Sequence, residues 1–352
     1  MDYGQDNREN DMKTNIRKWA LAATLGAAAA AAGSPASGAE TTWKASIWFG
    51  KTVLTEPDEW FAKEAAAKTG GQLKIDITYP PSKPTESIDL VNSGAADIAF
   101  FCAAYHGDKM SLATVMDLPM FAPEDIQTFI RVEMALADHP AIQAELRKSN
   151  VKILFPMPLH QSQLMGTKRV ARIDDFQGAR IRIPPVLGKV LQEYGATTTI
   201  MSPPEAIAAM KAGTLDLISM PYPSVYAHFK AEDSSKYVID NISLGSQFCF
   251  FGAGQKSWDA LPAKSQQTLL NLRQAAMIRY SELYAREDAA TVAMFKQKGL
   301  EFVTFNPTDR ARLVARAIKH WQTWVDEREK QGLKGREVFE FTQAKIREFG
   351  RK

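Results

Sequence analysis

Apolar and polar positions repeat along this chain in two copies of one pattern, 119 residues apart. The first copy is Glu86-Ser-Ile88-Asp-Leu-Val91-Asn-Ser-Gly94-Ala-Ala-Asp97-Ile98. The second is Glu205-Ala-Ile207-Ala-Ala-Met210-Lys-Ala-Gly213-Thr-Leu-Asp216-Leu217. Apolar residues at i and i+3 followed by glycine describe one face of a short helix ended by a left-handed glycine. The Asp and the apolar run behind it (Asp97 to Phe101, Asp216 to Ser219) predict a following strand. Ser202-Pro-Pro-Glu205 adds a capping box with proline at the first helical position. Two such units predict two similar α/β lobes, and the cleft between lobes is where a small ligand sits.

The same periodicities predict the other elements. Strands are expected at Trp43–Phe49, Gln72–Tyr79, Val151–Phe155, Ala179–Ile183, Phe248–Phe251 and Leu300–Phe305. Helices are expected at Pro57–Lys68, at Pro123–Lys148 with a break near His139-Pro140, and at Leu187–Tyr194. Pro262–Lys298 reads as one helix far above the usual globular length, running along both lobes, and two more helices finish the chain. Strands alternating with helices point to parallel sheets.

The N-terminal region changes the picture of compartment. Met12 to Lys18 is basic, Trp19 to Ala32 is apolar but too short to span a bilayer, and Ser37-Gly38-Ala39 offers small residues at −3 and −1. A secretory leader cleaved after Ala39 is expected, with Met12 as the start, which makes the protein periplasmic. Residues 40–352 hold 39 basic and 36 acidic side chains, a balance too mild to indicate nucleic-acid or membrane partners. Cys102 and Cys249 are the only cysteines. An exported protein permits a bridge, but two separate buried thiols on apolar strands is the expected state.

Arg182 is the leading candidate for chemistry. In Gly178-Ala-Arg-Ile-Arg-Ile-Pro-Pro185 the isoleucines face one way and Arg180 and Arg182 the other. Arg182 lies at the strand's C-terminal end, where open α/β sheets bind ligands. Its guanidinium can clasp a carboxylate with two parallel hydrogen bonds. The alternative is a solvated surface arginine, or one paired with an acid such as Asp174, and Arg180, further from the edge, reads as structural.

The block Asp174-Asp-Phe-Gln-Gly178-Ala-Arg-Ile-Arg182-Ile-Pro184, with Tyr194-Gly195 and Glu205 through Asp216, resembles the periplasmic solute-binding subunits of TRAP (tripartite ATP-independent periplasmic) transporters. Phe61-Ala, Thr69-Gly-Gly, Gln72 to Ile77, Gly94 to Ala99 and Asp117-Leu-Pro119 resemble that family's N-terminal pattern, so the likeness covers nearly all of residues 43–345. The resemblance implies a two-lobed binding protein that captures a small organic acid and passes it to membrane permease subunits, with the family's carboxylate-binding arginine on Arg182. Two features depart from it. Leu159-His-Gln-Ser-Gln163 lacks the second substrate arginine of sialic-acid and dicarboxylate members, and Leu217-Ile-Ser-Met220-Pro-Tyr222 stands where many members carry Gly and an acidic or amide residue.

The expected ligand contacts are Arg182, Trp48, Phe49, Phe101, Tyr105, His160, Gln161, Pro184, Met220, Tyr222 and Phe248. Trp48, Phe101 and Tyr222 are the preferred aromatic contacts, whereas Phe100 and two of Phe248, Phe250 and Phe251 are expected in the core. One arginine among aromatics favours a monocarboxylate with an apolar or aromatic body. C4-dicarboxylates, with His160 or Lys51 as second cation, are the runner-up. Ala45 to Thr52 only loosely resembles a phosphate loop, and the five histidines lack metal-ligand spacing, so no cofactor or metal is expected. An ABC-type binding protein and a periplasmic α/β enzyme holding a carboxylate are the alternatives, the latter lacking a nucleophile elbow. A monomer is expected, with lobe I formed by residues 40–159 and 248–287, lobe II by 160–247 and 288–352, and a hinge near His160 and Gln247.

Overall fold

A computed structural model describes residues 40–80 and 82–350. The expected leader lies outside the described residues.

The chain begins with β1 (Thr41–Ser46), α1 (Glu56–Lys68), β2 (Leu73–Thr78), α2 (Ser87–Ser93) and β3 (Ile98–Cys102), followed by α3 (Ile126–Ala137), α4 (Pro140–Lys148) and β4 (Val151–Met157). A second body follows, with β5 (Ser162–Gly166), β6 (Arg180–Arg182), α5 (Pro185–Gln192), β7 (Thr197–Thr199), α6 (Pro203–Lys211), β8 (Leu217–Pro221), α7 (Ser224–His228) and β9 (Tyr237–Ile239). The chain returns through β10 (Cys249–Gly254) and α8 (Gln255–Ala260), and ends with α9 (Ala263–Gln297), β11 (Glu301–Phe302), α10 (Pro307–Lys330) and α11 (Gly335–Phe349).

The strands make two sheets, ordered β2-β1-β3-β10-β4 and β11-β9-β5-β8-β6-β7. The repeated units fall one in each. Gly94 and Gly213 both take the left-handed conformation (φ 75° and 71°) that stops a helix and turns the chain toward its strand. Ser202 and Glu205 form the reciprocal capping box at the start of α6.

The sheets are not purely parallel, as the alternation of strands and helices had suggested. β1, β3 and β4 run together while β10 opposes its neighbours, and β5 is likewise antiparallel to both β8 and β9. The opposing strands, β5 and β10, are those that open the first two crossings between the bodies. Such a strand arrives directly from the other body, without a helical crossover to reverse its direction.

Each sheet is covered on both faces. In the first body, Phe61 of α1 packs 4.6 Å from Phe155 and 6.3 Å from Phe251, and Leu269, Tyr280 and Tyr284 of α9 close that layer. On the opposite face Phe101 stacks on Phe250 beneath Phe129 and Val132 of α3. In the second body, Leu187, Val190 and Leu191 of α5 cover one face, and Ile207 and Met210 of α6 cover the other. Fully burying a side chain of this kind contributes about 1.5–3 kcal/mol.

Helix α9 reaches both bodies, burying Leu269 and Tyr280 in the first and Phe295 in the second. The last two helices depart from the expected placement of 288–352 in lobe II. Leu313 of α10 packs in the second body, but Trp324 and Val325 further along it, and Val338 of α11, enter the core of the first. The amphipathic pattern marks the face a helix buries, not the body that receives it.

The cysteines also differ from expectation. Cys102 and Cys249 are directly opposite in the β3–β10 ladder and form a disulfide, with Cα atoms 4.0 Å apart.

Candidate functional site

Where the two bodies face each other lies a cavity of about 500 Å³ including its open mouth. Trp48, Phe49, Phe100, Tyr105 and the disulfide line it from the first body. Arg182, Pro203, Met220, Pro221, Val225, His228 and Phe229 line it from the second, and Gln247 lies on the return crossing.

Arg182 ends β6, paired with Thr199 of β7 and Ile218 of β8, and is 2% exposed. Its Nε donates to the Met201 carbonyl (3.0 Å) and Nη1 to the Ser219 carbonyl (2.8 Å), both from its own body. Nη2 donates across the cleft to the Tyr105 hydroxyl (2.6 Å). A guanidinium has five N–H groups, so about two are left over. No carboxylate pairs with Arg182 among the described residues. Arg180, two residues earlier at the start of β6 and exposed outside the cavity lining, is instead forked onto Asp216, with Nε 2.9 Å from Oδ2 and Nη2 2.5 Å from Oδ1. That hydrogen-bonded fork holds the Asp216 carboxyl below its ordinary pKa.

The first body contributes the apolar wall. Phe49 meets Phe100 edge-on with centroids 4.9 Å apart, and Trp48 meets Phe49 at 5.1 Å and Tyr105 at 5.9 Å. His228 Nε2 lies 3.0 Å from the Phe49 carbonyl across the cleft. The carbonyl can only accept, so Nε2–H donates, and burial pushes the His228 pKa down against the opposing effect of that hydrogen bond.

Of the eleven expected contacts, Arg182, Trp48, Phe49, Tyr105 and Met220 line the cavity. The other six lie elsewhere. Phe101 and Phe248 are fully buried in the helix-covered layer of the first body, because the pleat that turns Phe100 and Cys102 toward the cavity turns Phe101 away. Tyr222 packs its ring against Tyr226 and Phe295. His160 Nε2 sits 2.8 Å from Asp288 Oδ2, with its ring against Tyr284. Gln161 donates to the Ala122 and Pro123 carbonyls, both at 2.9 Å, and Pro184 is buried at the start of α5. Lys51, the other proposed second cation, pairs with Glu59 at 2.8 Å outside the cavity lining.

Phe100, His228 and Gln247 line the cavity without having been singled out as contacts. The sequence marks two only faintly: Gln247 is the last polar residue before an apolar strand, and His228 closes the short helix after the second repeat.

The model of the family described as "Bacterial extracellular solute-binding protein, family 7" (DctP) matches residues 46–328. The chain belongs to that family. A "Solute-binding protein" of Verminephrobacter eiseniae is 25% identical over 264 residues, covering 72% of this chain and 76% of its own. Among solved structures, the Bordetella pertussis extracytoplasmic solute receptor DctP7, which binds pyroglutamic acid, is 21% identical with a TM-score of 0.75, covering 86% of this chain and 99% of that one. A marine-metagenome TRAP solute-binding protein specific for aromatic acid ligands, in complex with metahydroxyphenylacetate, is 18% identical with a TM-score of 0.78, covering 88% and 99%. At those identities the two structures establish a shared fold, the two-lobed periplasmic binding-protein architecture. Among the described residues no helix is long and apolar enough to cross a membrane.

Proposed function

We propose that this protein captures a small monocarboxylic acid with an apolar or aromatic body between its two lobes, without catalysis. It then delivers the acid to the membrane subunits of a TRAP-type transporter, working in the periplasm after removal of the leader and as a monomer. The observation that carries the reading is Arg182, a permanently charged group 2% exposed in the cavity wall with no carboxylate partner among the described residues. An unpaired buried charge is costly, and a ligand carboxylate would supply both the missing countercharge and acceptors for the remaining N–H groups.

Proteins of the same fold bind pyroglutamic acid and aromatic acids. The lack of any other arginine or lysine in the cavity wall favours one carboxylate over two, because a second would be buried without a cation. Arg182 is 2% exposed and bonded across the cleft to Tyr105, so a ligand reaches it only when the bodies part, with the crossings near His160 and Gln247 as the hinge.

Calorimetry tests the reading. Arg182→Ala should weaken a bound monoacid by about 2–5 kcal/mol, a factor of roughly thirty or more. Arg182→Lys should also bind poorly, since an ammonium cannot reproduce the fork. Near wild-type affinity in a folded variant would overturn the role of Arg182. Tighter binding of succinate or malate than of an aromatic or branched monoacid would overturn the ligand class.

A further inference from the structure

The polar side chains of the cavity wall divide into those with partners and those without. Arg182, Tyr105 and His228 have theirs. Gln247 is 5% exposed and makes no side-chain hydrogen bond among the described residues, and what remains exposed of it faces the cavity lining, where its amide still meets solvent. The indole Nε1 of Trp48, in the same wall, is buried and likewise unpartnered. The indole N–H has given up water and gained nothing, and a ligand filling the cavity would take water from the Gln247 amide as well, so both need a partner from the ligand.

Gln247 is also held in place. On one side of it the Ser246 hydroxyl donates to the Leu159 carbonyl (2.8 Å), and on the other the Phe248 N–H donates to Asp117 Oδ1 (3.4 Å). The backbone is therefore pinned at the crossing, and the free amide is presented from a fixed point two residues before Cys249.

We infer that the ligand carries a neutral oxygen substituent besides its carboxylate, a hydroxyl or a carbonyl, and that Gln247 reads it. The inference rests on the proposal that Arg182 takes the carboxylate. The chemistry of the unpartnered groups sets the substituent. Trp48 Nε1 only donates, and the Gln247 amide donates and accepts, so the group that meets them must at least accept. It must be neutral, because among the described residues no arginine or lysine besides Arg182 lines the cavity, and burial disfavours the charged form of His228. A plain hydrocarbon body would leave both groups dry and unpaired, and sites built with unpaired polar groups discriminate strongly against ligands that cannot satisfy them. The ligand class narrows to hydroxy- or oxo-substituted monocarboxylates.

Matched acids test this by calorimetry on the full chain: benzoate against 3-hydroxybenzoate, and cyclopentanecarboxylate against pyroglutamate. Wild type should prefer the oxygenated member of at least one pair by about tenfold or more. Gln247→Leu should erase that preference. Gln247→Met, which preserves side-chain length, is read in the same way if the leucine variant does not fold. Equal affinities within both pairs, or a preference that survives loss of the amide, would overturn the inference. If the plain acid still depends on Arg182, the carboxylate reading stands and only the role of Gln247 falls. If Arg182→Ala leaves the plain acid unaffected, or none of the four acids binds, both fall.

Discussion

In the first body Asp97 accepts from the Lys44 N–H (2.8 Å) and returns its own N–H to the Lys44 carbonyl (2.8 Å), tying the start of β3 to β1. In the second body Asp216 makes the same two bonds to Arg180 (2.8 and 2.9 Å), tying the start of β8 to β6. The registers match as well: Ser46 stands opposite Ala99 as Arg182 stands opposite Ile218. One frame thus presents a small hydroxyl in one body and a guanidinium in the other. Beyond Ser46 the first body continues into Trp48 and Phe49, whereas beyond Arg182 the second body meets two prolines. The lesson is a division of labour on a repeated scaffold. The second body supplies charge and the first supplies the apolar wall.

Three measurements probe how far the likeness extends. The largest asymmetry is covalent. The disulfide joins β3 to β10 across 147 residues and has no equivalent in the second sheet. Replacing both cysteines by alanine should cost about 2–5 kcal/mol of unfolding free energy in urea melts. An unchanged melt would mean that packing alone holds these strands.

A second asymmetry is in buried acid. Asp58, Asp117 and Glu133, all in the first body, are raised by burial, whereas Asp216 of the second is lowered by Arg180. Asp58, whose Oδ1 lies 3.0 Å from the Tyr280 hydroxyl, is pushed up to about 8. The native state therefore keeps a proton that the unfolded chain releases above its ordinary carboxylate range, and stability falls as pH rises toward 8. His106, pushed down to about 4 by burial, acts in the opposite sense below its ordinary pKa of 6.5, so the window from 6.5 to 8 isolates the acids. Across that window Asp58 alone should cost roughly 2 kcal/mol, and Asp58→Asn should remove this share of the decline. A variant with the wild-type slope would show that Asp58 is ionised in the native protein.

The smallest effect is one of equality. At Gly94 and Gly213 an added Cβ meets nothing within 4 Å, so alanine pays only for the left-handed backbone. Each substitution should cost about 1 kcal/mol, and the two should agree within a few tenths. Unequal melts would break the equivalence of the repeats.

Much of this was legible in the chain. Helix-stopping glycines, the capping box and Arg182 at a strand end are local signals, and each appears where its residues place it. What stayed hidden depends on distant partners. Alternation on β3 shows that Phe100 and Phe101 face opposite ways, but not which face meets the other body. Nothing between residues 102 and 249 reveals that the two cysteines become cross-strand neighbours. The apolar stripe of α11 fits the core of either body equally well. Gln247 carries only a faint local signal, as the last polar residue before an apolar strand, because its place in the cavity wall is set by distant partners.

The disulfide has a topological consequence. Cys102 and Cys249 close a covalent ring that contains β4 and every strand of the second sheet except β11. A protease that nicks one loop inside this ring leaves a single covalent molecule, and only reductant frees the pieces. A nick outside the ring severs the chain at once. The body that carries Arg182 is thus largely a closed excursion from the first, and the pieces of a ring nicked once stay tethered at the cavity wall itself.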